Sequence, residues 1–461
     1  MWRSFRPAAV LAGASVLATA AVTTGAPAVA LPVSRHGPGA VHTAPGRWGR
    51  PGQMRILRAA APDARAGVRA VPGARLVPQP GTNSQLEGIF CQSSADCWAV
   101  GHYQAASGAN LNQALHWNGS KWSQATTPDP GGTASGSSSE LFSVGCRAAK
   151  DCWAVGDYMK KGADLDQALH WNGSKWSVVP TPTPGGNLSG DENRLFDVVC
   201  LTATNCWAAG QYGNNGVTLN QVLHWNGSTW SQTTTPNPGG TAASDISTLD
   251  AIRCTSASNC WTVGEAGNIG GTQFLVLNEA LHWNGHKWSQ ATTPNPGGTT
   301  SGDFSDLSAV SCTSASNCWA DGSYGSSGST GNSLNEALHW NGATWALVST
   351  PDPDGTGEGA SNLLIGLSCT SATNCWAVGD YGSISGGVGV ILNEALHWDG
   401  AIWSQANTPN PAGTADTDAN ILIWVHCNSQ ANCWAVGDTQ KPAGPLLNQA
   451  LHWTGTKWST G

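Results

Sequence analysis

A chain of 461 residues has room for two to four domains, and its formal net charge of −8 is unevenly placed. Residues 1–75 hold 10 arginines and one acid, Asp63, which leaves 11 of the 21 basic and 28 of the 29 acidic residues to the rest, a net of −17. A body that acidic argues against nucleic acid and anionic membrane as partners.

The chain opens on Arg3 and Arg6, an apolar stretch from Ala8 to Val22 too short to span a bilayer, and the small-x-small site Ala28-Val29-Ala30. Residues 1–30 therefore read as a secretory signal peptide, and no later segment is apolar enough for membrane insertion. Residues 31–74 have no hydrophobic period and are rich in Pro, Gly, Ala and Arg, which predicts a disordered linker or propeptide. The expected destination is extracellular.

From residue 75 to 461 one unit recurs seven times: a cysteine, five residues, Cys-Trp, then about twenty residues on His-Trp, a turn and a further Trp. All fourteen cysteines fall in the pairs Cys91/Cys97, Cys146/Cys152, Cys200/Cys206, Cys254/Cys260, Cys312/Cys318, Cys369/Cys375 and Cys427/Cys433. An exported chain meets an oxidising medium, so these read as seven disulfides, each clamping the hairpin between the first two strands of its unit; zinc sites favour a spacing of two to four residues or nearby histidine ligands, and neither recurs.

Within the second unit, Leu141–Cys146 is an apolar run, a turn of five residues follows, and Cys152–Tyr158 is rich in strand formers up to Gly156. A variable loop leads to Leu165–Trp171, then Asn172-Gly173, a strong two-residue hairpin signal, and Lys175–Val179. Four antiparallel strands in 54 to 58 residues, repeated seven times, predict an all-β, seven-bladed β-propeller with one disulfide per blade. Twenty-one of the 24 tryptophans take three places per blade and would fill the wedges between sheets. His116, His170, His224, His282, His339, His397 and His452 recur with them, and a residue present in every blade is packing rather than a single catalytic centre. Arg75–Gly81 resembles the end of a fourth strand with no blade before it, while the last unit stops at Gly461 without that tail. The segment around Leu76 and Val77 is expected to complete blade 7 and latch the ring.

With Leu-x-x-Val-x-Cys, Cys-Trp-Ala-Val-Gly and an Asn-Gly turn before Trp, each unit resembles a blade of the BNR or Asp-box propellers, the class of sialidases and photosystem assembly propellers; Gly119 and Trp122 carry the match, and kelch-like propellers are the other resemblance. The class implies a propeller and leaves function open. Sialidases use an arginine cluster, whereas this body has Arg147 in a hairpin, Arg194 in a loop between blades and Arg253 beside Cys254, so sialidase activity is not implied.

Positions that break the repeat are the candidates for function. The residue after the Gly of the second strand reads His102, Asp157, Gln211, Glu265, Ser323, Asp380 and Asp438, and each inter-blade segment carries an acid, Glu87, Glu140, Asp191, Glu192, Asp245, Asp303, Asp306, Asp354, Glu358, Asp416 or Asp418. Together they predict a ring of carboxylates on the loop face, suited to Ca²⁺ or to a basic or polyhydroxylated ligand; no cofactor is required. Blade 7 adds Trp424 and His426, which would line the channel as a stacking platform or repack the closing seam, and blade 5 places Asp321 where other blades have Val or Ala. No nucleophile elbow, HExxH or Walker loop is present. The expectation is a monomeric extracellular binding module for a glycan or protein ligand, with a carbohydrate-active hydrolase or lyase and a purely structural protein as the other readings.

Overall fold

The computed structural model describes residues 77–461 apart from 215, 271–273, 328–331, 383, 386 and 387, so the expected signal peptide, the linker and Leu76 lie outside the described residues. Blade 1 is β1 (Thr82–Ser93), β2 (Asp96–Gln104), β3 (Asn110–Trp117) and β4 (Trp122–Ala125), paired antiparallel in that order. Six more sheets repeat it, those of blades 4 and 5 joined by one parallel bridge between Val276 and Phe304. Blade 6 carries a short extra hairpin, Ile384–Ser385 with Val388–Gly389. The first strands, Thr82–Ser93, Ser139–Ala148, Glu192–Thr202, Asp245–Ser256, Phe304–Ser314, Asn362–Ser371 and Ala419–Ser429, pack each on the next, and the last returns to the first. The chain is a closed, seven-bladed all-β propeller with one disulfide in every blade.

The seven expected pairs are the bonded ones: Cys91–Cys97, Cys146–Cys152, Cys200–Cys206, Cys254–Cys260, Cys312–Cys318, Cys369–Cys375 and Cys427–Cys433. Their setting differs from a clamp on an exposed turn. The strands run past the cysteines, Ser93 facing Asp96 across a two-residue turn, so each disulfide joins directly opposed residues within a ladder rather than bridging a loop of five. The second cysteine of each pair, on a strand covered from both sides, lies in the core: Cys97, Cys152, Cys260, Cys318, Cys375 and Cys433 are 0% exposed and Cys206 is 1% exposed. These cysteines are therefore buried scaffold and not part of a solvent-facing site.

A second turn also differs from the sequence expectation. The Asn-Gly connection is a four-residue loop, Asn118–Lys121, because Trp117 and Trp122 already face each other as partners. Asn118 Oδ1 accepts from the N–H groups of Ser120 and Lys121, an Asx turn, and only Gly119 takes positive φ, at 87°.

The glycine after Cys-Trp-x-x is steric. A Cβ at Gly101 would collide with Gln85 O, beside a bulge between Leu86 and Gly88, and Gly156 meets Glu140 O in the same way. Each blade is covered by neighbours on both sides, so its second strand is one continuous buried run, as in Cys97–His102.

Ring closure is visible in hydrogen bonds. Asn112 of blade 1 is held by the tail that follows its own fourth strand, Asp129 Oδ1 accepting from its N–H at 2.7 Å and Pro128 O from its Nδ2 at 2.7 Å. Blades 3 to 6 repeat this with Pro236-Asn237, Pro294-Asn295, Pro351-Asp352 and Pro409-Asn410. In blade 7 the N-terminal segment supplies the tail: Gln79 Oε1 accepts from Asn448 N–H at 2.9 Å, Pro78 O from Asn448 Nδ2 at 2.7 Å, and Val77 is buried in the main core.

Candidate functional site

Two layers of side chains fasten each blade to the next. At the disulfide end, Trp98 of blade 1 lies 4.9 Å from Trp171 and 5.1 Å, edge-on, from Trp176 of blade 2. The pattern runs round to Trp434, 5.0 Å and 5.3 Å from Trp117 and Trp122 of blade 1. The recurrent histidine stacks on this cluster and anchors the turn: His116 is 4.5 Å from Trp98, with Nε2 2.7 Å from Asp96 Oδ1. His170 meets Asp151 likewise, and the others meet Asn205, Asn259, Asn317, Asn374 and Asn432.

The second layer, towards the loop end, holds the variable position of the second strand. Alternation puts Trp98, Val100 and His102 on one face of the strand, the face turned to the next blade. His102, Asp157, Ser323, Asp380 and Asp438 are buried, and Gln211 and Glu265 are half-buried, so these residues sit in seams and do not form the solvent-facing ring expected from sequence. Asp157 pairs with Arg194 of blade 3 at 3.1 Å, and Gln211 Oε1 accepts from Thr248 Oγ1 of blade 4 at 3.0 Å. Ser323 turns to its own blade and donates to Asp306 Oδ1 at 2.9 Å. Arg194 lies in the first strand of blade 3, not in a loop, and also binds Asp164, so this layer was missed as a set of seam partners.

One seam breaks the complementarity. Glu265 of blade 4 lies within electrostatic reach of Asp306 of blade 5, two acids where the seam of blades 2 and 3 pairs an acid with a base and that of blades 3 and 4 an amide with a hydroxyl. Burial pushes Glu265 well above the usual carboxylate range, with the charges of Asp306 and Asp250 adding to it. Burial raises Asp306 to about 6, against the hydrogen bond from Ser323. Burial thus biases both carboxyls at this seam towards the protonated form.

The loop acids are otherwise engaged. Asp191, Asp245, Asp303 and Asp418 each accept from a backbone N–H three residues earlier, at Leu188, Ala242, Thr300 and Ala415, and Asp354 accepts from Ser361 N–H. Those bonds, together with Ser327 N–H, hold Asp303 well below the usual range. Glu87, Glu140, Glu192, Asp245 and Asp306 belong to first strands rather than loops. Among the described residues no group of three or more His, Cys, Asp or Glu can hold a metal ion, so the carboxylate ring does not assemble as a Ca²⁺ site.

Trp424 and His426 fill the inner wall at the closing seam. Trp424 is 2% exposed, with the Arg253 guanidinium 5.5 Å from its ring centroid, and His426 Nδ1 accepts from Cys91 N–H of blade 1 at 3.2 Å. In blades 5 and 6 the same place is taken by Ser311 and Ser368, which accept from the first-cysteine N–H of the following blade. His426 is thus a seam fastener, and burial followed by the nearby Arg253 charge depresses it to about 3. The open stacking platform is not formed. Arg253 donates to Asp197 Oδ2 at 2.6 Å and Arg147 pairs with Asp151 at 2.9 Å, so the three arginines are each tied to separate carboxylates. Asp321 is fully buried on the seam-facing side of its strand with neither carboxylate oxygen hydrogen-bonded to a neighbouring residue, and burial pushes it well up, towards the neutral form.

Third-strand acids were not singled out from sequence. In blade 2, Gln167 Nε2 donates to Asn112 Oδ1 of blade 1 and to the carbonyls of Glu140 and Asp157. Glu279, Glu336 and Glu394 occupy this place in blades 4 to 6; one oxygen accepts from Asn220, Asn278 or Asn335, and the other has no donor facing it. Burial raises all three well above the usual range, and a protonated carboxyl supplies the donor that Gln167 supplies with its amide. The signal was in the chain, in the change from Gln to Glu in blades 4 to 6 at the position four residues before the Trp of His-Trp.

No family model and no curated protein matches the chain. Among solved structures, a polysaccharide lyase of the ulvan lyase family shares the fold with a TM-score of 0.51 at 9% identity, over 80% of this chain and 92% of that one. A xyloglucanase from Xanthomonas campestris aligns over 83% and 55% at 12% identity with a TM-score of 0.45, and the β-propeller domain of the trilobed protease from Pyrococcus furiosus over 81% and 96% at 7% with 0.43. The β-propeller architecture is therefore shared with a polysaccharide lyase.

Proposed function

We propose that the chain is a secreted extracellular propeller whose loop face binds a carbohydrate or protein ligand. The observation that carries this reading is the division of the two ends. Disulfide hairpins and four-residue Asx loops repeat with little change at one end, whereas the other gathers loops that differ in length and sequence from blade to blade. Their bases are tied together by backbone bonds, as in Asn110 N–H to Ser137 O, Gly190 N–H to Gly162 O, Gly302 N–H to Phe274 O and Ser333 N–H to Ala360 O. A stiff frame under variable, Ser/Thr-rich tips is how a fold presents recognition groups at low entropic cost. The lyase whose fold it shares is bound to a saccharide, which makes glycans the first ligands to try, neutral ones ahead of acidic ones because the body carries a net of −17. The repeat is kept with the BNR/Asp-box class on Gly119 and Trp122, and the seven disulfides suit the oxidising exterior that the leader predicts.

Glycan and peptide arrays probed with the full chain, with and without EDTA, test this. Saturable binding to one ligand class that EDTA leaves intact is expected; no binding to any class would leave the purely structural reading in its place.

The Glu265–Asp306 seam favours a second reading, a carbohydrate-active hydrolase or lyase that uses this pair as acid and base. It predicts turnover of an array ligand with a pH profile bending near 6 and lost in both Glu265→Gln and Asp306→Asn. Turnover unchanged in these variants would remove it.

A further inference from the structure

All five tyrosines of the chain, Tyr103, Tyr158, Tyr212, Tyr324 and Tyr381, occupy one position, second after the glycine of the second strand. Blade 7 has Thr439 there and blade 4 has Ala266. In blade 1 the ring lies against the tail that precedes the blade, where a Cβ on Gly81 would come within 2.6 Å of Tyr103 Cδ2, and Gln124 of β4 lies near enough to its hydroxyl to lower its pKa against burial. Tyr381 meets Gln405 of blade 6 in the same way. Thr439 answers its own hydroxyl with Ala419 O and Asn420 Oδ1, and Thr460 stands where Gln124 would be. Blade 4 alone, among the described residues, lacks the ring and keeps the glutamine, Gln290.

The consequence is a groove. Around Ala266 it measures about 730 Å³, walled by Pro238 and Gly239 of the preceding tail, Leu277, Thr293 and Gln290. The matching groove of blade 1, with Tyr103 in place, measures about 370 Å³. Alanine, leucine and proline side chains line it together with amides and hydroxyls, and among the described residues no charged side chain lines it. Asn295 replaces Asp129, the carboxylate whose charge, after burial, raises the Tyr103 hydroxyl pKa.

We propose that the blade 4 groove binds a neutral p-hydroxyphenyl group, a tyrosyl side chain or a free phenol, with the ring where other blades hold tyrosine and the hydroxyl on Gln290. A vacated space lined by the partners of the missing group accepts a ligand of that shape, as engineered core cavities accept benzene. The site lies at the base of the blade 4 loops, lined there by Asn268 and Ser301, and stands whether or not the loop tips bind a glycan.

The test is titration of the full chain with p-cresol, N-acetyltyrosinamide and toluene, followed by ligand-observed NMR. One saturable p-cresol site is expected, with Kd on the order of 1 mM and a preference over toluene of roughly 3- to 10-fold that Gln290→Leu removes. Gln290 is exposed, so that variant should fold. Ala266→Tyr should abolish binding, and Tyr103→Ala should open a second site in blade 1. Binding of N-acetyltyrosinamide at least as tight as p-cresol assigns the site to a peptide, and weaker binding to a small phenol. Absence of saturable p-cresol binding, equal affinity for toluene, or p-cresol affinity unchanged in folded Ala266→Tyr would overturn the proposal. Array ligands retained by Ala266→Tyr belong to the loop tips outside the groove.

Discussion

At the scale of single residues, the repeat works as its own control. Gln167 shows what the third-strand position must do, which is to donate to backbone carbonyls at a buried seam, and Glu394 can do so only as a neutral acid. Its folded pKa is raised, so its contribution is complete below the ordinary carboxylate range and is lost as pH rises through the folded value. Glu394→Gln is therefore expected to raise the melting temperature at pH 7.5 by about 2 °C, from roughly 1–2 kcal/mol, and to leave it unchanged at pH 4.5. An equal shift at both pH values would show the carboxyl to be ionised or irrelevant. Asp306 and Asp380, raised by burial to about 6 and about 7, act with the same sign, so the seams of blades 4 to 6 weaken as the pH rises from about 4 to about 7. His426, depressed to about 3, acts oppositely and weakens the closing seam only on acidification below its unfolded value near 6.5. Arg194 is buried between Asp157 and Asp164, and Arg194→Ala should cost about 3–5 kcal/mol in a denaturant melt by leaving two buried carboxylates without their cation. The sequence marked Asp157 and Glu265 as unusual because they vary among blades. It could not place them, since period-two alternation gives the face of a strand but not which neighbouring blade covers that face.

At the scale of strands and turns, the pattern of cysteine, tryptophan and glycine was legible because each has a local, recurrent cause. The disulfide joins opposed residues, the glycine avoids the carbonyl opposite, and the tryptophans meet across every seam. Turn lengths were less legible. Asn-Gly favours a two-residue hairpin in isolation, but the Trp117–Trp122 pair fixes the register first and leaves four residues to close the loop. The aromatic seam gives the prediction proper to this scale. Trp434→Ala should cost about 3–5 kcal/mol, and in a double-mutant cycle with Trp122→Ala the coupling should be about 0.5–1.5 kcal/mol, the edge-on pair's own share. Strict additivity would mean that the closing seam is not packed as the other six are. Removing one disulfide, Cys200→Ser with Cys206→Ser, should cost only about 2 kcal/mol, because so short a loop restricts the unfolded chain little.

At the scale of the whole molecule, seven repeats with no capping unit pointed to a ring, and one orphan tail at the start with a missing tail at the end pointed to how it closes. The structure supplies the atoms: Pro78 and Gln79 hold Asn448 as Pro128 and Asp129 hold Asn112. What the sequence left out is the difference among seams, the two acids at blades 4 and 5 and the groove opened by Ala266, since both depend on which blade stands next to which. The closed ring underlies every seam described, and the loop face exists only if it closes. The most direct measurement is thermal unfolding of a chain lacking residues 74–80, beside the intact one. Loss of three hydrogen bonds, the two above and that from Gln79 Nε2 to Asn448 O, with the burial of Val77 amounts to roughly 4 kcal/mol, and the melting temperature should fall by about 5 °C with earlier unfolding of blade 7. An unchanged melting temperature would contradict a ring latched by its own N-terminal segment.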